Sequence, residues 1–445
     1  MAWPHRTLVL ALALLHVAVL APAVSRSYPS DDTLLLIPLL LSQLDGQSAW
    51  SALGYLFAPN QPDMPRAAWK LYVIASQFLF GPSNAGLLWV GVALHAISSV
   101  LVGALARRIG AAPRAAWLAA GLHFTAYPGF HAYLWPVGVQ HVLTVLGVLL
   151  FLNVYLITEA RRRSGQPYRG WWCLATVCGI VSSLGRASSL VGPVTVLTHA
   201  VLHARGREER LAAFARWRMP VLLSTIYPMA LLAYFGDLQA FFVVPKLLDA
   251  QEILAPRVGD AAIFGLALAG VLLVVLLAGL VLDRAAGWPA RLAERPRLRA
   301  ALWAGAALFA VVPLIRIAAV YVSSVEALLA PLWLALNSAN TVRWHLTSFP
   351  GSALGVAAGA ALLFAVLSRP RPGRDALVLV PLFAALGLAL FSMELRPSRY
   401  WIYVTPVLAI VLAMAMDRLA DRLGAPTDRR PTWRHAALAL ACGVI

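Results

Sequence analysis

Apolar runs recur along this sequence, and each is long enough to cross a lipid bilayer, which requires about 17 to 25 residues. The runs begin near Thr7, Ala85, Ala115, Val137, Trp171, Ser188, Met219, Ala261, Ala300, Ser348, Ala376 and Tyr400. A thirteenth run begins at His435, but it is too short at Ile445 to cross the bilayer. We therefore expect that the chain continues beyond Ile445. The pattern predicts an all-α polytopic membrane protein with about 12 to 13 transmembrane helices, forming one domain over residues 1–445.

Composition excludes the common soluble classes. Hydrophobic residues make up 60% of the chain and charged residues only 12%, whereas soluble domains carry about 25% charged residues. The net charge of +17 would suit a nucleic-acid partner, but the basic residues occupy short gaps between apolar runs, so we expect none. Cys173, Cys178 and Cys442 lie in or beside these runs without disulfide or metal-site spacing, and we expect Cys173 and Cys178 to pack in the interior.

The basic residues also predict an orientation, because short cytoplasmic loops are enriched in Lys and Arg. With the amino-terminus inside and the first run acting as an anchor, 26 of the 36 basic residues are cytoplasmic. The outer side then holds ten basic and ten acidic residues. We therefore expect an integral membrane protein with the lipid bilayer as a partner, and the mixed charge on the outer side indicates a charged ligand held near that face.

The first outer loop, residues 25–84, is the longest and contains two adjacent carboxylates, Asp31 and Asp32. Unpaired charge near hydrocarbon is costly, so such a pair is a candidate for function. Capping of a helix from Thr33 to Leu44 is the alternative, because helix amino-termini favour negative charge. The rest of this loop is apolar and aromatic and predicts helices that lie along the interface, one of them from Arg66 to Phe80.

The second outer connection is short and aromatic, with Tyr127, His131, Tyr133 and Trp135. These side chains suit either an interfacial aromatic belt or the lining of a substrate site. Three further histidines, namely His95, His123 and His141, lie within apolar runs. For these three we expect hydrogen bonds that join packed helices rather than catalytic roles.

Outer basic residues are the candidates for binding an anionic ligand, because Arg and Lys make strong hydrogen bonds to phosphate. They include Arg66, Lys246, Arg343, Arg396 and Arg399. Arg186 stands at a turn between two short runs, where it would either reach the interface or hold a phosphate.

Several short motifs in the amino-terminal third resemble the C-type (GT-C) membrane glycosyltransferases, in particular family 39 and the O-mannosyltransferases. The motifs are Phe80-Gly81-Pro82, Leu94-His95-Ala96, Arg107-Arg108-Ile109-Gly110, His123-Phe124, Pro128 followed by His131, and Trp135. Asp31-Asp32 after the first run, Arg66 and Arg399-Tyr400 also fit the family pattern. The chain departs from it at Arg186-Ala187, where relatives carry Lys-Glu, and it lacks tetratricopeptide repeats.

The resemblance implies a GT-C-like fold and transfer of a sugar from a polyprenyl-phosphate donor to a glycan, lipid or protein acceptor. It also implies that the protein lies in a bacterial inner membrane with its active site on the extracytoplasmic face. Asp31 or Asp32 would be the general base, and Arg66, Lys246 and Arg399, backed by Arg343 and Arg396, would contact the donor phosphate. Tyr127, His131, Tyr133 and Trp135 would line the substrate. No cofactor is firmly implied, and a divalent metal stays open. A lipid-linked glycan polymerase or ligase, and a transporter or flippase of such a glycan, are the alternatives.

Overall fold

The computed structural model describes the amino-terminal half of the chain and a short carboxy-terminal part. The described residues are 3–26, 67–81, 83–126, 138–185, 187–204, 206–235, 402–403 and 405–422, together with 42, 45, 46, 48, 50, 51, 132, 295, 297, 378 and 379. No strand occurs among them. The all-helical class predicted from the sequence is therefore confirmed for this part of the chain.

Nine α-helices are described in the ranges above. They are α1 (Trp3–Arg26), α2 (Ala67–Phe80), α3 (Asn84–Arg108), α4 (Pro113–Thr125), α5 (Val139–Arg163), α6 (Arg169–Ser183), α7 (Val191–His203), α8 (Gly206–Phe235) and α9 (Thr405–Arg422). A 3-10 turn, Ala187–Leu190, leads into α7. Helix α2 lies within the segment where the sequence predicted an interfacial helix, so a helix at this place is confirmed.

Local sequence explains several of the helix ends. The Ser83 side chain accepts a hydrogen bond from the backbone N–H of Gly86 and so caps α3. Pro113 begins α4, where its missing N–H costs nothing. Helix α5 ends in Arg161, Arg162 and Arg163, whose charges suit the negative end of a helix.

Gly165 makes the tight turn from α5 into α6. Its φ is +69°, a left-handed conformation that glycine adopts without a steric penalty. The backbone N–H of Gln166 donates to the carbonyl of Arg161 at 2.9 Å, and that of Gly165 to the carbonyl of Arg162 at 3.2 Å. These bonds satisfy carbonyls that the end of a helix would otherwise leave open.

The helices pack mainly as neighbours along the chain. Helices α3 and α4 form one hairpin and α5 and α6 another, while α3 lies against α5 and α8 against both α6 and α7. Helix α9 comes from the far end of the sequence and packs on α4, whose surface also contacts α1. The interior between them is apolar, with Phe151, Leu152 and Trp217 fully buried.

Glycines allow two of these helix pairs to approach closely. A Cβ placed on Gly147 of α5 would lie 2.7 Å from the Cα of Ser182 on α6. A Cβ on Gly103 of α3 would lie 2.9 Å from the carbonyl oxygen of Ala116 on α4. Small residues of this kind are typical of contacts between helices in membranes, where packing rather than hydrophobic burial drives association.

Much of the outer surface is apolar. Phe78 of α2 is 89% exposed and Val100 of α3 is 64% exposed. Monomeric soluble proteins rarely show contiguous apolar patches of large size, and such surfaces mark contact with a membrane or partner. Among the described residues, α3 from Ala85 onward and α5 are long and apolar enough to cross a membrane.

The lengths of other helices differ from the predicted spans. Helices α4, α6 and α7 contain 13, 15 and 13 residues, fewer than the roughly 17 that a perpendicular crossing needs. The apolar runs predicted in these parts of the sequence extend beyond the helix ends, so each helix is shorter than its run. Cys173 is also exposed on α6, which makes the expectation of a packed side chain wrong for this cysteine.

We expect Gly147→Ala to destabilise the protein by about 1 to 3 kcal/mol, because the added methyl group meets the backbone of Ser182. Gly170→Ala is the matched control, because a Cβ at Gly170 meets no atom within 4 Å. Thermal unfolding in detergent, followed by intrinsic fluorescence, measures both variants. Equal unfolding midpoints for the two variants would contradict the close approach of α5 and α6.

Candidate functional site

The site residues proposed from the sequence fall outside the described part of the chain. They are Asp31, Asp32, Arg66, Tyr127, His131, Tyr133, Trp135, Lys246, Arg343, Arg396 and Arg399. Several of them have close chain neighbours that the structure does describe. These neighbours, and the polar side chains around them, form the candidate site.

The amino-terminal end of α9 is joined to α4 through Thr405. Its hydroxyl lies 3.0 Å from Nδ1 of His123 and 3.0 Å from the carbonyl oxygen of Ile402. A hydroxyl has one proton to donate, and a carbonyl can only accept. The Thr405 hydroxyl therefore donates to Ile402, and His123 donates from Nδ1 to Thr405.

This arrangement fixes the chemical character of His123. With the proton on Nδ1, Nε2 carries a free lone pair and is an acceptor. Nε2 is buried and has no hydrogen-bond partner among the described residues. The ring lies 4.8 Å from that of His95, centroid to centroid, so two buried imidazoles stand side by side between α3 and α4.

A second bond joins the same end of α9 to α5. The Tyr403 hydroxyl lies 2.7 Å from Nδ1 of His141, and both groups are buried. The two rings meet edge to face at a centroid distance of 5.5 Å. The expectation that His123 and His141 form hydrogen bonds between packed helices is thereby confirmed.

Further polar groups surround His141 at the start of α5. Gln140 is buried, and its side-chain oxygen has no hydrogen-bond partner in the described region. The Thr144 hydroxyl donates to the Gln140 carbonyl at 2.7 Å. Gly185, in the turn after α6, approaches Thr144 so closely that a Cβ there would lie 2.5 Å from the Thr144 hydroxyl oxygen.

Helix α2 begins beside the same turn. The backbone N–H of Ala68 donates to the carbonyl of Leu184 at 3.1 Å, and α2 also contacts α5. One turn further along α2, Lys70 is completely buried. Burial lowers the pKa of the Lys70 ammonium to about 8, because removal from water penalises the charged form.

These contacts bring separate parts of the chain to one end of the bundle, which we call the polar end and define by His123, His141, Tyr403 and Thr405. The described residues there are chain neighbours of the predicted site. Ala67 follows Arg66, and Ile402 stands three residues after Arg399. Ala126 and Gly138 flank the connection that holds Tyr127, His131, Tyr133 and Trp135.

Ion pairs lie at the opposite end, the charged end, which we define by Arg114, Glu159, Arg162, Arg216 and Asp417. Glu159 accepts from Arg162 at 3.0 Å, from Arg216 at 3.3 Å and from the Trp217 indole at 2.9 Å. Arg114 pairs with Asp417, so α4 and α9 are joined at this end as well. Because His123 meets Thr405 at one end and Arg114 meets Asp417 at the other, α4 and α9 run antiparallel.

The polar end contains hydroxyl, imidazole and amide groups and no described carboxylate. The N–H of His123 is already given to Thr405, so Tyr403 and His141 are the candidate donors to an anionic oxygen in this set. Among the described residues, no group of three or more His, Cys, Asp and Glu side chains could hold a metal ion. A carboxylate base would have to come from another part of the chain.

Sequence reasoning did not select Lys70, Gln140 or Tyr403. Lys70 carried the clearest signal, because it is the only charged residue within the apolar helix α2, and charge in such a setting is a functional candidate. Gln140 and Tyr403 gave no comparable signal, since single polar residues at the ends of apolar runs are common. Tyr403 reaches this site through His141, which lies 262 positions away in the chain.

Comparisons with protein-family models, with curated proteins and with solved structures returned no match for this chain. Function is therefore inferred from the residues and the geometry described above.

We expect Tyr403→Phe to destabilise the protein by about 1 to 3 kcal/mol, because it removes the buried hydrogen bond between the Tyr403 hydroxyl and Nδ1 of His141. Tyr168→Phe makes the same chemical change at a half-exposed tyrosine and should cost less than about 0.5 kcal/mol. Unfolding midpoints in detergent compare the two variants. A Tyr403→Phe midpoint equal to that of Tyr168→Phe would show that this bond does not hold α9 to α5.

Proposed function

We propose that the chain is a polytopic inner-membrane glycosyltransferase of the C type that uses a polyprenyl-phosphate sugar as donor. The observation that carries this proposal is the convergence of chain segments at the polar end. The described neighbours of Arg66, of Arg399 and of the Tyr127–Trp135 connection meet there, around His123, His141, Tyr403 and Thr405. Ligand sites commonly form between the helices of a bundle, so this convergence favours a site at the polar end.

The distribution of charge supports the proposed orientation. The last turns of α3 and α5 contain basic residues, namely Arg107, Arg108 and Arg161 to Arg163. The charged end also holds Arg114 and Arg216. Cytoplasmic ends of membrane helices are enriched in Arg and Lys. The charged end then faces the cytoplasm and the polar end faces the extracytoplasmic side, as the charge pattern of the whole sequence also predicts.

The reaction needs a base, an electrophilic carbon and a stabilised leaving group. Asp31 or Asp32 takes the proton from an acceptor hydroxyl, whose oxygen attacks the anomeric carbon of the donor sugar. The bond from that carbon to the phosphate oxygen breaks, and polyprenyl phosphate leaves with the bonding electrons. The proton stays on the carboxylate until it is lost to water.

Cationic side chains are assigned to the leaving group. Arg66, Lys246 and Arg399, with Arg343 and Arg396 behind them, would stabilise the charge that develops on the phosphate. The Tyr403 phenol of the polar end is four residues from Arg399 in the chain. Tyr127, His131, Tyr133 and Trp135 would line the sugar or the acceptor. The residues described at the polar end thus supply packing and polar contacts, and the base comes from the first outer loop.

Asp31→Asn and Asp32→Asn test the central assignment. The purified variants and the native protein are mixed with a panel of polyprenyl-phosphate sugars and membrane extract, and release of polyprenyl phosphate is measured. One of the two variants should lose about 10²- to 10⁴-fold in rate, the typical contribution of a general base. Equal release by the native protein and both variants would reduce the carboxylate pair to a helix cap.

The same assay separates the alternative functions. A flippase moves the intact lipid-linked glycan across reconstituted vesicles without releasing polyprenyl phosphate. A polymerase or ligase releases the carrier from a lipid-linked oligosaccharide and not from a monosaccharide donor. The first result would contradict sugar transfer, and the second would contradict the proposed donor class.

Arg399→Gln tests the phosphate contact. Loss of one charge-assisted hydrogen bond costs about 1.5 to 3 kcal/mol, so kcat/KM for the donor should fall by about 10- to 150-fold. Arg207→Gln removes an equal charge from the start of α8 and should leave kcat/KM unchanged. A fall of the same size in both variants would point to overall charge rather than to a phosphate contact.

A further inference from the structure

An open cleft of about 420 Å³ lies between α6 and α8, away from the polar end. Its lining consists of Tyr168, Arg169, Trp172, Cys173, Ala215 and Arg216. The Trp172 indole donates to the backbone carbonyl of Arg216 at 3.2 Å, which holds the two walls together. The cleft adjoins the charged end through Arg216 and is no part of the proposed transferase site.

The lining of the cleft is positively charged, because it contains Arg169 and Arg216. Arg216 pairs with Glu159 at 3.3 Å and keeps 21% of its side chain exposed. Arg169 is exposed and forms no ion pair within the described part of the chain. Nearby, the Arg161 guanidinium lies 5.5 Å from the centre of the Trp171 ring, so basic and aromatic groups alternate here. Such a surface recognises an anionic group and also suits the headgroup depth of a bilayer.

Two apolar stripes begin at the walls of this cleft. On α6, Cys173 is followed at helical spacing by Val177 and Ile180, which are exposed. On α8, Ala215 is followed by Met219, Leu222 and Ile226, also exposed. Residues spaced by three or four positions share one face of a helix, so each stripe continues directly from a residue that lines the cleft.

The stripes lie side by side, and the one on α8 has the length of a lipid chain. Trp172 meets Arg216, and Gly179 meets Ser224, so α6 and α8 run parallel and the stripes extend in the same direction. From Ala215 to Ile226 the helix rises by about 16 Å, which matches the roughly 15 Å of hydrocarbon in one leaflet. An acyl chain that starts at the cleft would cover the α8 stripe as far as the middle of the bilayer and the shorter α6 stripe beside the part nearest the cleft.

We propose that this cleft binds the phosphodiester head group of an anionic phospholipid, whose acyl chains lie on the stripes of α6 and α8. A cationic, aromatic pocket between membrane helices on the cytoplasmic side is the type of site that holds such lipids. The continuity between the basic cleft and the apolar stripes favours a lipid over a soluble anion. The inference rests on the membrane location and orientation within the proposed function and is independent of sugar transfer.

Cys173 provides a direct probe, because it is an exposed thiol in the wall of the cleft. The full-length protein is reconstituted in nanodiscs of phosphatidylcholine, with or without phosphatidylglycerol, and treated with a neutral maleimide. Peptide mass spectrometry then gives the labelling rate of Cys173. We expect phosphatidylglycerol to slow labelling several-fold, since the bound head group covers the thiol.

Two variants of equal net charge separate a specific site from general attraction to the membrane surface. Arg169→Gln should abolish the protection, because it removes the cleft's unpaired cation. Arg207 is exposed and lies about 12 Å along α8 from Ala215 in the cleft. Arg207→Gln should therefore retain full protection. Arg169→Lys should keep part of it. Equal protection in Arg169→Gln and Arg207→Gln would overturn the proposal, as would labelling that does not respond to phosphatidylglycerol.

Soluble glycerol 1-phosphate, added to phosphatidylcholine nanodiscs, distinguishes the two sources of a phosphate group. We expect no protection, since it has no acyl chain to cover the stripes. Protection equal to that of phosphatidylglycerol would assign the cleft to a soluble anion and contradict a lipid site. Because no sugar donor enters this experiment, its outcome is separate from the test of transferase activity.

Discussion

The hydrogen bonds from the start of α9 to α4 and α5 determine which parts of this sequence lie together. Thr405 meets His123 across 282 positions of the chain, and Tyr403 meets His141 across 262. Apolar surface alone does not define one arrangement of helices within hydrocarbon, because lipid chains are as apolar as leucine. A buried polar group must find its partner, so these bonds select one position for α9 on the bundle.

Close packing then supports what the polar bonds select. Gly147 and Gly103 bring the helices of two hairpins near enough for backbone contact. At the opposite end, Glu159 joins α5 to α8 through Arg216 and Trp217. A buried carboxylate without partners destabilises the folded state, so Glu159 needs several hydrogen-bond donors at once. The bundle is therefore held by different chemistry at its two ends, neutral hydrogen bonds at the polar end and ion pairs at the charged end.

Sequence patterns predicted the helices better than their lengths or their partners. Helices α3 and α5 follow the predicted runs because each run ends at basic residues next to a glycine turn. Helices α4, α6 and α7 are shorter than their runs, since apolar composition does not mark where turns begin. The role of His141 in helix packing could be expected from its position, but its partner Tyr403 could not, because nothing local connects the two segments.

The chemistry at the polar end also limits how a transferase could work there. Neutral imidazole and phenol groups bind and orient an anionic oxygen, but His123 and His141 each use Nδ1 for a bond to α9. His123 keeps a lone pair on Nε2 while Nδ1 holds Thr405, but this nitrogen is buried, so a proton taken there would create an uncompensated charge away from water. A carboxylate from a loop can gain and lose a proton without disturbing the packing of helices. For the transferase proposed above, a base on the first outer loop is therefore more compatible with the packing at the polar end than a base among its buried histidines.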